Sequence, residues 1–151
     1  MHEKQWRKHM TDLKYFIDTN IFLRAIVRDD EKTFKECVTL LDNIKKGKIS
    51  AYTSSLVFAE IQWTMKSFYG YKKEECIKAL QSIQALPHLK TKNRTSLPQA
   101  LNLFDAHAVK FIDALIASDP AIQTGKVSVI SYDKDFDKMN VNRVTPRRLF
   151  Q

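Results

Sequence analysis

The chain has 151 residues, a length typical of one domain, and an apolar fraction of 44%, which is enough for one continuous core. Its 25 Lys and Arg residues outnumber 17 Asp and Glu residues, and the formal net charge of +8 attracts polyanions. Two cysteines and three glycines argue against a disulfide framework, a zinc knuckle and the glycine-rich phosphate loops of nucleotide-binding folds. Nucleic acid is therefore the first partner to consider.

The N-terminal residues 1–14 form a basic segment without the apolar region of a signal peptide. We interpret them as an extension that precedes a single domain over 15–151. No later run approaches the ~18 apolar residues that a membrane span needs. We therefore expect a cytoplasmic protein with no membrane partner.

Strands and helices alternate in the first half of the chain. The predicted elements are a strand at 15–17, a helix at 21–27, a helix at 31–46, a strand at 49–53 and a helix at 56–69. Asp18 ends the first strand, and Asn20 is predicted to cap the helix that follows. Ser54 or Ser55 is predicted to cap the helix at 56–69, which carries Glu60 one turn from its start.

The second half continues the alternation. Its predicted elements are a helix at 72–86, a strand at 88–92, a helix beginning near Pro98, a helix containing Asp113, a strand at 126–131 and a strand at 141–144. This pattern predicts an α/β fold, a three-layer α/β/α sandwich with a mainly parallel central sheet. Ligands of such sheets bind beyond the carboxyl ends of the strands, where Asp18 and Asp133 are placed.

Each acid has a structural explanation when it is considered singly. Asp18 suits a turn, and Asp113 suits a helix N-terminus. Glu60 shares a helical face with Leu56 and Trp63, so we expect Glu60 and Asp113 to be buried and to need partners. Gathered at one sheet edge, these carboxylates would repel one another unless cations compensate them. With no His or Cys cluster beside them, oxygen ligands favour Mg²⁺ or Mn²⁺ over zinc.

Four segments match a known family in order and spacing. They are FIDTN at 16–20, SSLVFAEI at 54–61, FIDALIA at 111–117 and VISYDKDF at 129–136. With these motifs, the chain over 15–145 resembles the PIN domains, and especially the VapC-type toxins of toxin–antitoxin pairs. The resemblance implies a metal-dependent endoribonuclease that hydrolyses RNA phosphodiester bonds with Mg²⁺ or Mn²⁺, an antitoxin as protein partner and a homodimer.

The resemblance also implies a set of site residues. Its catalytic acids and metal ligands would be Asp18, Glu60, Asp113 and Asp133, with Asp135 as a further ligand and Asn20 and Ser131 as supporting residues. Ser131 stands where the family usually has Thr, and it keeps the hydroxyl. Lys110 stands at a position that is often acidic in the family, which leaves one metal ion or two as alternatives. The helices at 56–69 and 72–86 are the predicted dimer interface.

The same residues bear on several other classes of protein. A haloacid-dehalogenase-type phosphatase needs a second acid two residues after the first, where this chain has Asn20. A receiver-like phospho-acceptor needs adjacent acids after the first strand, and these are not found. A noncatalytic PIN-like RNA-binding module and a housekeeping RNA-processing nuclease remain the alternatives. Candidate contacts to the RNA backbone are Lys92, Arg94, Lys134 and Arg143.

Overall fold

A computed structural model describes residues 13–150, which form a five-stranded sheet flanked by helices. The strands are β1 Tyr15–Ile17, β2 Ala51–Thr53, β3 Leu89–Thr91, β4 Ser128–Ile130 and β5 Arg143–Val144. Their order is β3-β2-β1-β4-β5, and every neighbouring pair is parallel. The predicted three-layer α/β/α class with a parallel sheet is confirmed.

Nine helices connect and follow these strands within the described residues. They are α1 Thr19–Ile26, α2 Glu31–Lys45, α3 Ser55–Ser67, α4 Lys73–Gln84, α5 Leu97–Ala106, α6 Phe111–Ala117, α7 Pro120–Gln123, α8 Asp135–Lys138 and α9 Pro146–Leu149. The short α7, α8 and α9 were not predicted, because four residues are too few to display a helical period. The longer elements agree with the predicted ones within a few residues.

One hydrophobic core fills the space between the sheet and the helices. The central strand β1 contributes Phe16 and Ile17, which are almost fully buried. Phe16 packs edge to face against Tyr52 of β2, with ring centroids 5.3 Å apart. Val129 and Ile130 of β4 are fully buried, as expected for a central parallel strand. This packing fixes the carboxyl ends of β1 and β4 next to each other.

Two helix features differ from the predictions. Helix α1 begins at Thr19 with Asp18 as its N-cap residue, so the prediction that Asn20 caps this helix was wrong. The side chain of Asn20 bonds to the segment after β4 instead, and these tertiary contacts override its capping preference. Trp63 is 66% exposed, and Glu60 is only half-buried, so the predicted buried face of α3 is also wrong. Ser54 does cap α3, because its Oγ accepts from Leu56 N at 3.0 Å.

Cys37 and Cys76 are both buried and free, as expected of core thiols. Among residues 13–150, every helix is too short or too polar to cross a membrane. Residues 1–12 of the predicted basic extension lie outside the described part of the chain.

Candidate functional site

The predicted acids converge at the carboxyl edge of the sheet. Asp18 directly follows β1, and Asp133 follows the neighbouring strand β4. Glu60 belongs to α3 and Asp113 to α6, and the charges of Glu60 and Asp133 both act on Asp18 and on Asp113. We call these four residues, together with Asp135, the acidic cluster.

Three members of the acidic cluster are close enough to share one cation. One carboxylate oxygen from each of Asp113, Asp133 and Asp135 lies within 4.8 Å of the other two. Asp113 is 1% exposed, whereas Asp133 and Asp135 are half-buried and reach the surface. The group is therefore anchored in the core and open to solvent on one side.

A hydrogen-bond network holds Asp18 in place. Ser131 Oγ donates to Asp18 Oδ2 at 2.6 Å, and Asn20 Nδ2 lies 3.3 Å from the same oxygen. Asn20 also donates to Ser131 Oγ at 3.0 Å and accepts from the backbone N–H of Tyr132 at 3.2 Å. Ser131 Oγ in turn accepts from Asp133 N at 2.9 Å. Ser131 thus connects Asp18 with Asp133.

Burial makes the charges of Asp18 and Asp113 costly. Desolvation raises the pKa of Asp18 to about 6, although the Ser131 hydrogen bond opposes this shift. Desolvation also raises the pKa of Asp113 to about 8, and the charge of Asp18 adds to this effect while Lys110 opposes it. In the part of the chain that the structure describes, Asp18 Oδ1 and Asp113 Oδ2 are buried without a hydrogen-bond partner. Buried carboxylates with free oxygens are suitable ligands for a hard divalent cation, so these residues fit Mg²⁺ or Mn²⁺.

Within residues 13–150, two ammonium groups contact the acidic cluster. Lys110 Nζ lies 3.7 Å from Asp113 Oδ2 and 3.5 Å from Asp133 Oδ2. Lys138 Nζ lies 2.9 Å from Asp135 Oδ1 and donates to the carbonyl of Ala108 at 3.1 Å. The position of Lys110 was recognised from the sequence, but these contacts were not predicted. The spacing of three residues between Lys110 and Asp113 across a helix start was the available signal.

The four predicted RNA-contacting residues do not lie on one common surface. Arg143 is half-buried and pairs with Asp137 at 3.0 Å. It also donates to the backbone carbonyl of Ser131 at 3.1 Å, so it stabilises the segment that carries Ser131. Lys134 is exposed beside the acidic cluster. Lys92 and Arg94 line a groove that is separate from the acidic cluster. Lys14 and Lys126 also line this groove, which has a volume of about 910 Å³.

Comparisons with known proteins agree with the fold of this chain. A family model described as the PIN domain matches residues 15–142. Among solved structures, the chain is similar to VapBC2 from Rickettsia felis bound to a DNA fragment from their promoter, with 20% identity, a TM-score of 0.59, and 87% of this chain and 97% of that chain covered. It is also similar to VapC20 from Mycobacterium tuberculosis, a Sarcin-Ricin loop cleaving toxin, with 13% identity, a TM-score of 0.60, and 87% and 98% of the two chains covered. No curated protein sequence matches the chain. At these identities, the likeness to solved structures establishes the fold.

Proposed function

This chain belongs to the PIN-domain family, and from that membership and the acidic cluster we propose that it is a metal-dependent endoribonuclease that hydrolyses RNA phosphodiester bonds. The observation that carries the proposal is the meeting of carboxylates from four segments at one sheet edge, with two buried oxygens left without hydrogen bonds among the described residues. A purely structural role for these acids does not account for this arrangement, because it concentrates negative charge in the core.

The residues of the site would have two kinds of role, as metal ligands and as groups that orient those ligands. Asp18, Asp113 and Asp133 would hold Mg²⁺ or Mn²⁺, with Asp135 and Glu60 as further oxygen ligands. A bound ion supplies Lewis acidity, which activates water for in-line attack and neutralises charge on the phosphate. Ser131 and Asn20 orient Asp18 through the hydrogen bonds to its Oδ2. The formal net charge of +8 favours binding of the RNA backbone.

We assign the protein a biological role as the toxin of a toxin–antitoxin pair in the cytoplasm. One structural neighbour is a toxin that cleaves the Sarcin-Ricin loop, and the other is a VapBC2 assembly bound to promoter DNA. Both neighbours are covered almost completely by this chain, so the likeness extends over their whole fold. The implied partners are an RNA substrate, an antitoxin protein and a second copy of the chain.

Cleavage of RNA by the purified protein tests the activity. We expect cleavage with Mg²⁺ or Mn²⁺ that is lost in excess EDTA and falls by about 100-fold or more in Asp113→Asn, because a ligand charge is removed. Asp105→Asn is the matched control, since Asp105 is exposed on α5 and outside the acidic cluster. Undiminished cleavage in EDTA contradicts the metal mechanism. RNA binding without cleavage under all metal conditions supports the noncatalytic RNA-binding module instead.

Induced expression in a bacterial host tests the toxin role. The wild-type chain should arrest growth, Asp113→Asn should not, and co-expression of a small protein encoded beside the gene should restore growth to cells with the wild-type chain. Active enzyme that leaves growth unaffected favours the housekeeping RNA-processing nuclease.

A further inference from the structure

Lys110 brings a positive charge into the acidic cluster at the point where two of its segments meet. It is the N-cap residue of α6, three residues before Asp113. Its Nζ lies 3.7 Å from Asp113 Oδ2, on α6, and 3.5 Å from Asp133 Oδ2, in the loop after β4. One ammonium group therefore contacts two carboxylates that come from different parts of the fold.

The two oxygens that Lys110 contacts would otherwise be available as ligands for a divalent ion. Asp113 Oδ2 is buried and accepts no hydrogen bond from the described residues. Asp133 Oδ1 already accepts from Asp135 N at 3.0 Å, so Oδ2 is its remaining oxygen on the side of Lys110. An ion such as Mg²⁺ needs its ligand oxygens at about 2.0–2.1 Å in near-octahedral geometry. A second divalent ion at this position would have to displace the ammonium.

We propose that Lys110 takes the place of a second divalent cation, so that the site binds one Mg²⁺ or Mn²⁺ and the Lys110 ammonium supplies the other positive charge. This inference rests on the proposed function. In two-metal nucleases the ions lie about 3.5–4 Å apart and stabilise the attacking and leaving oxygens. An ammonium group carries three N–H donors and no acceptor, so it can contact a phosphate oxygen while it stays paired with the carboxylates.

Lys138, the second ammonium at the cluster, does not share this position. It contacts only Asp135 among the acids, and its second partner is the backbone carbonyl of Ala108. Its contacts join α8 to the segment before α6. Within the described residues, Lys110 is thus the cation that bridges two members of the acidic cluster, and it is the one to vary.

Counting Mn²⁺ ions bound per chain tests the inference without RNA. Titration of the full chain with Mn²⁺, followed by the EPR signal of the free ion, should give one bound ion for the wild type. Lys110→Glu, which places a carboxylate at this position, should bind two. Lys126→Gln is the control matched in charge to Lys110→Gln, because each removes one positive charge and Lys126 precedes β4 at the amino edge of the sheet. Lys110→Gln, which adds no acid, provides a second variant should Lys110→Glu fail to fold, and it should also admit the second ion, with weaker affinity.

The Mn²⁺ dependence of RNA cleavage provides an independent measure. The logarithmic slope of rate against Mn²⁺ concentration should be near one for the wild type and approach two for Lys110→Glu. Two ions in the wild type, or one ion in both folded Lys110 variants, overturns the role of Lys110 and leaves the nuclease proposal standing. Failure of every protein to bind Mn²⁺ overturns both this inference and the metal mechanism.

Discussion

At the residue scale, Ser131 is the connection on which the geometry of the site depends. Its hydroxyl donates to Asp18 at 2.6 Å and accepts from Asp133 N at 2.9 Å. We predict that Ser131→Ala weakens Mn²⁺ binding by about 10–100-fold, because a residue that orients a ligand is lost. Ser131→Thr is the control: it keeps the hydroxyl and should stay within a few-fold of the wild type. Calorimetric titration measures both, and equal affinities for Ala and Thr would contradict this role of the hydroxyl.

The raised pKa values of Asp18 and Asp113 predict how stability depends on pH. Their folded-state values of about 6 and 8 lie above the ordinary value of 3.8, so the folded protein retains these protons to higher pH than the unfolded chain does. The free energy of unfolding of the metal-free protein must therefore fall as pH rises from about 4 to about 8, because the folded state must give up protons that the unfolded chain has already lost.

Denaturant unfolding in EDTA across this pH range checks the prediction. Asp113→Asn should flatten the decline and stabilise the protein at pH 8, because it removes the buried carboxylate that is most costly to ionise. Asp105→Asn, an exposed acid of α5, should follow the wild type. Addition of Mn²⁺ should restore stability at pH 8 in the wild type, since the ion binds only the folded site. A decline of the same size in Asp113→Asn would show that this acid does not cause it.

The acids of the site could be predicted from the sequence, whereas the cation among them could not. Asp18 directly follows β1 and Asp133 lies three residues after the end of β4, and the carboxyl ends of these neighbouring parallel strands meet at one edge. The place of the Lys110 ammonium depends on the conformation of a long, 60% exposed side chain and on its distance from a separate loop. The distance between Lys110 and Asp133 cannot be read from the amino-acid sequence.

At the scale of elements, helix α3 carries Glu60 to the site and depends on its N-cap. Ser54 is 4% exposed, and its Oγ accepts from Leu56 N. We predict that Ser54→Ala lowers the free energy of unfolding by about 1 kcal/mol, because a helix N–H loses its acceptor. Ser67→Ala, at the exposed end of the same helix, should change it by less than about 0.5 kcal/mol. Equal effects of the two changes in urea denaturation would contradict the capping role.

Elements were predicted well where a period repeats and poorly where tertiary contacts decide. The 15 residues of α2 display several turns of apolar spacing, and its predicted limits differ from the observed ones by one residue. Asn20 has the chemistry of a cap, but contacts with the segment after β4 place it inside α1. Trp63 follows Glu60 at helical spacing, yet this face of α3 is left uncovered. Spacing identifies a face of a helix and does not say what covers it.

At the scale of the whole molecule, the uncovered apolar side chains of α3 and α4 support the predicted homodimer. Trp63 is 66% exposed and Phe68, the C-cap of α3, is 77% exposed, while Ile77 of α4 is 43% exposed. Such side chains lose contact with water when two copies associate. We expect a mass of two chains in light scattering at micromolar concentration, and dissociation in Trp63→Glu.

The control for assembly is Phe150→Glu, which changes a side chain that is 43% exposed and follows α9. This variant should remain dimeric. A monomer at every concentration of the wild type, or a Trp63→Glu variant that still dimerises, would reject the interface on α3 and α4. The chemistry of the acidic cluster does not depend on either outcome.

The strand order also determines when, during synthesis, the site comes into existence. Strand β1 is made first but lies between β2 and β4, and Ser131 lies 113 residues after the Asp18 that it binds. Three of the five acids are Asp113 or later residues. A partly translated chain that folds from its N-terminus therefore contains Asp18 and Glu60 but lacks the other three acids of the acidic cluster. For the proposed ribonuclease, we therefore expect no cleavage by a nascent polypeptide before residue 135 has emerged from the ribosome, because the acidic cluster is incomplete until then.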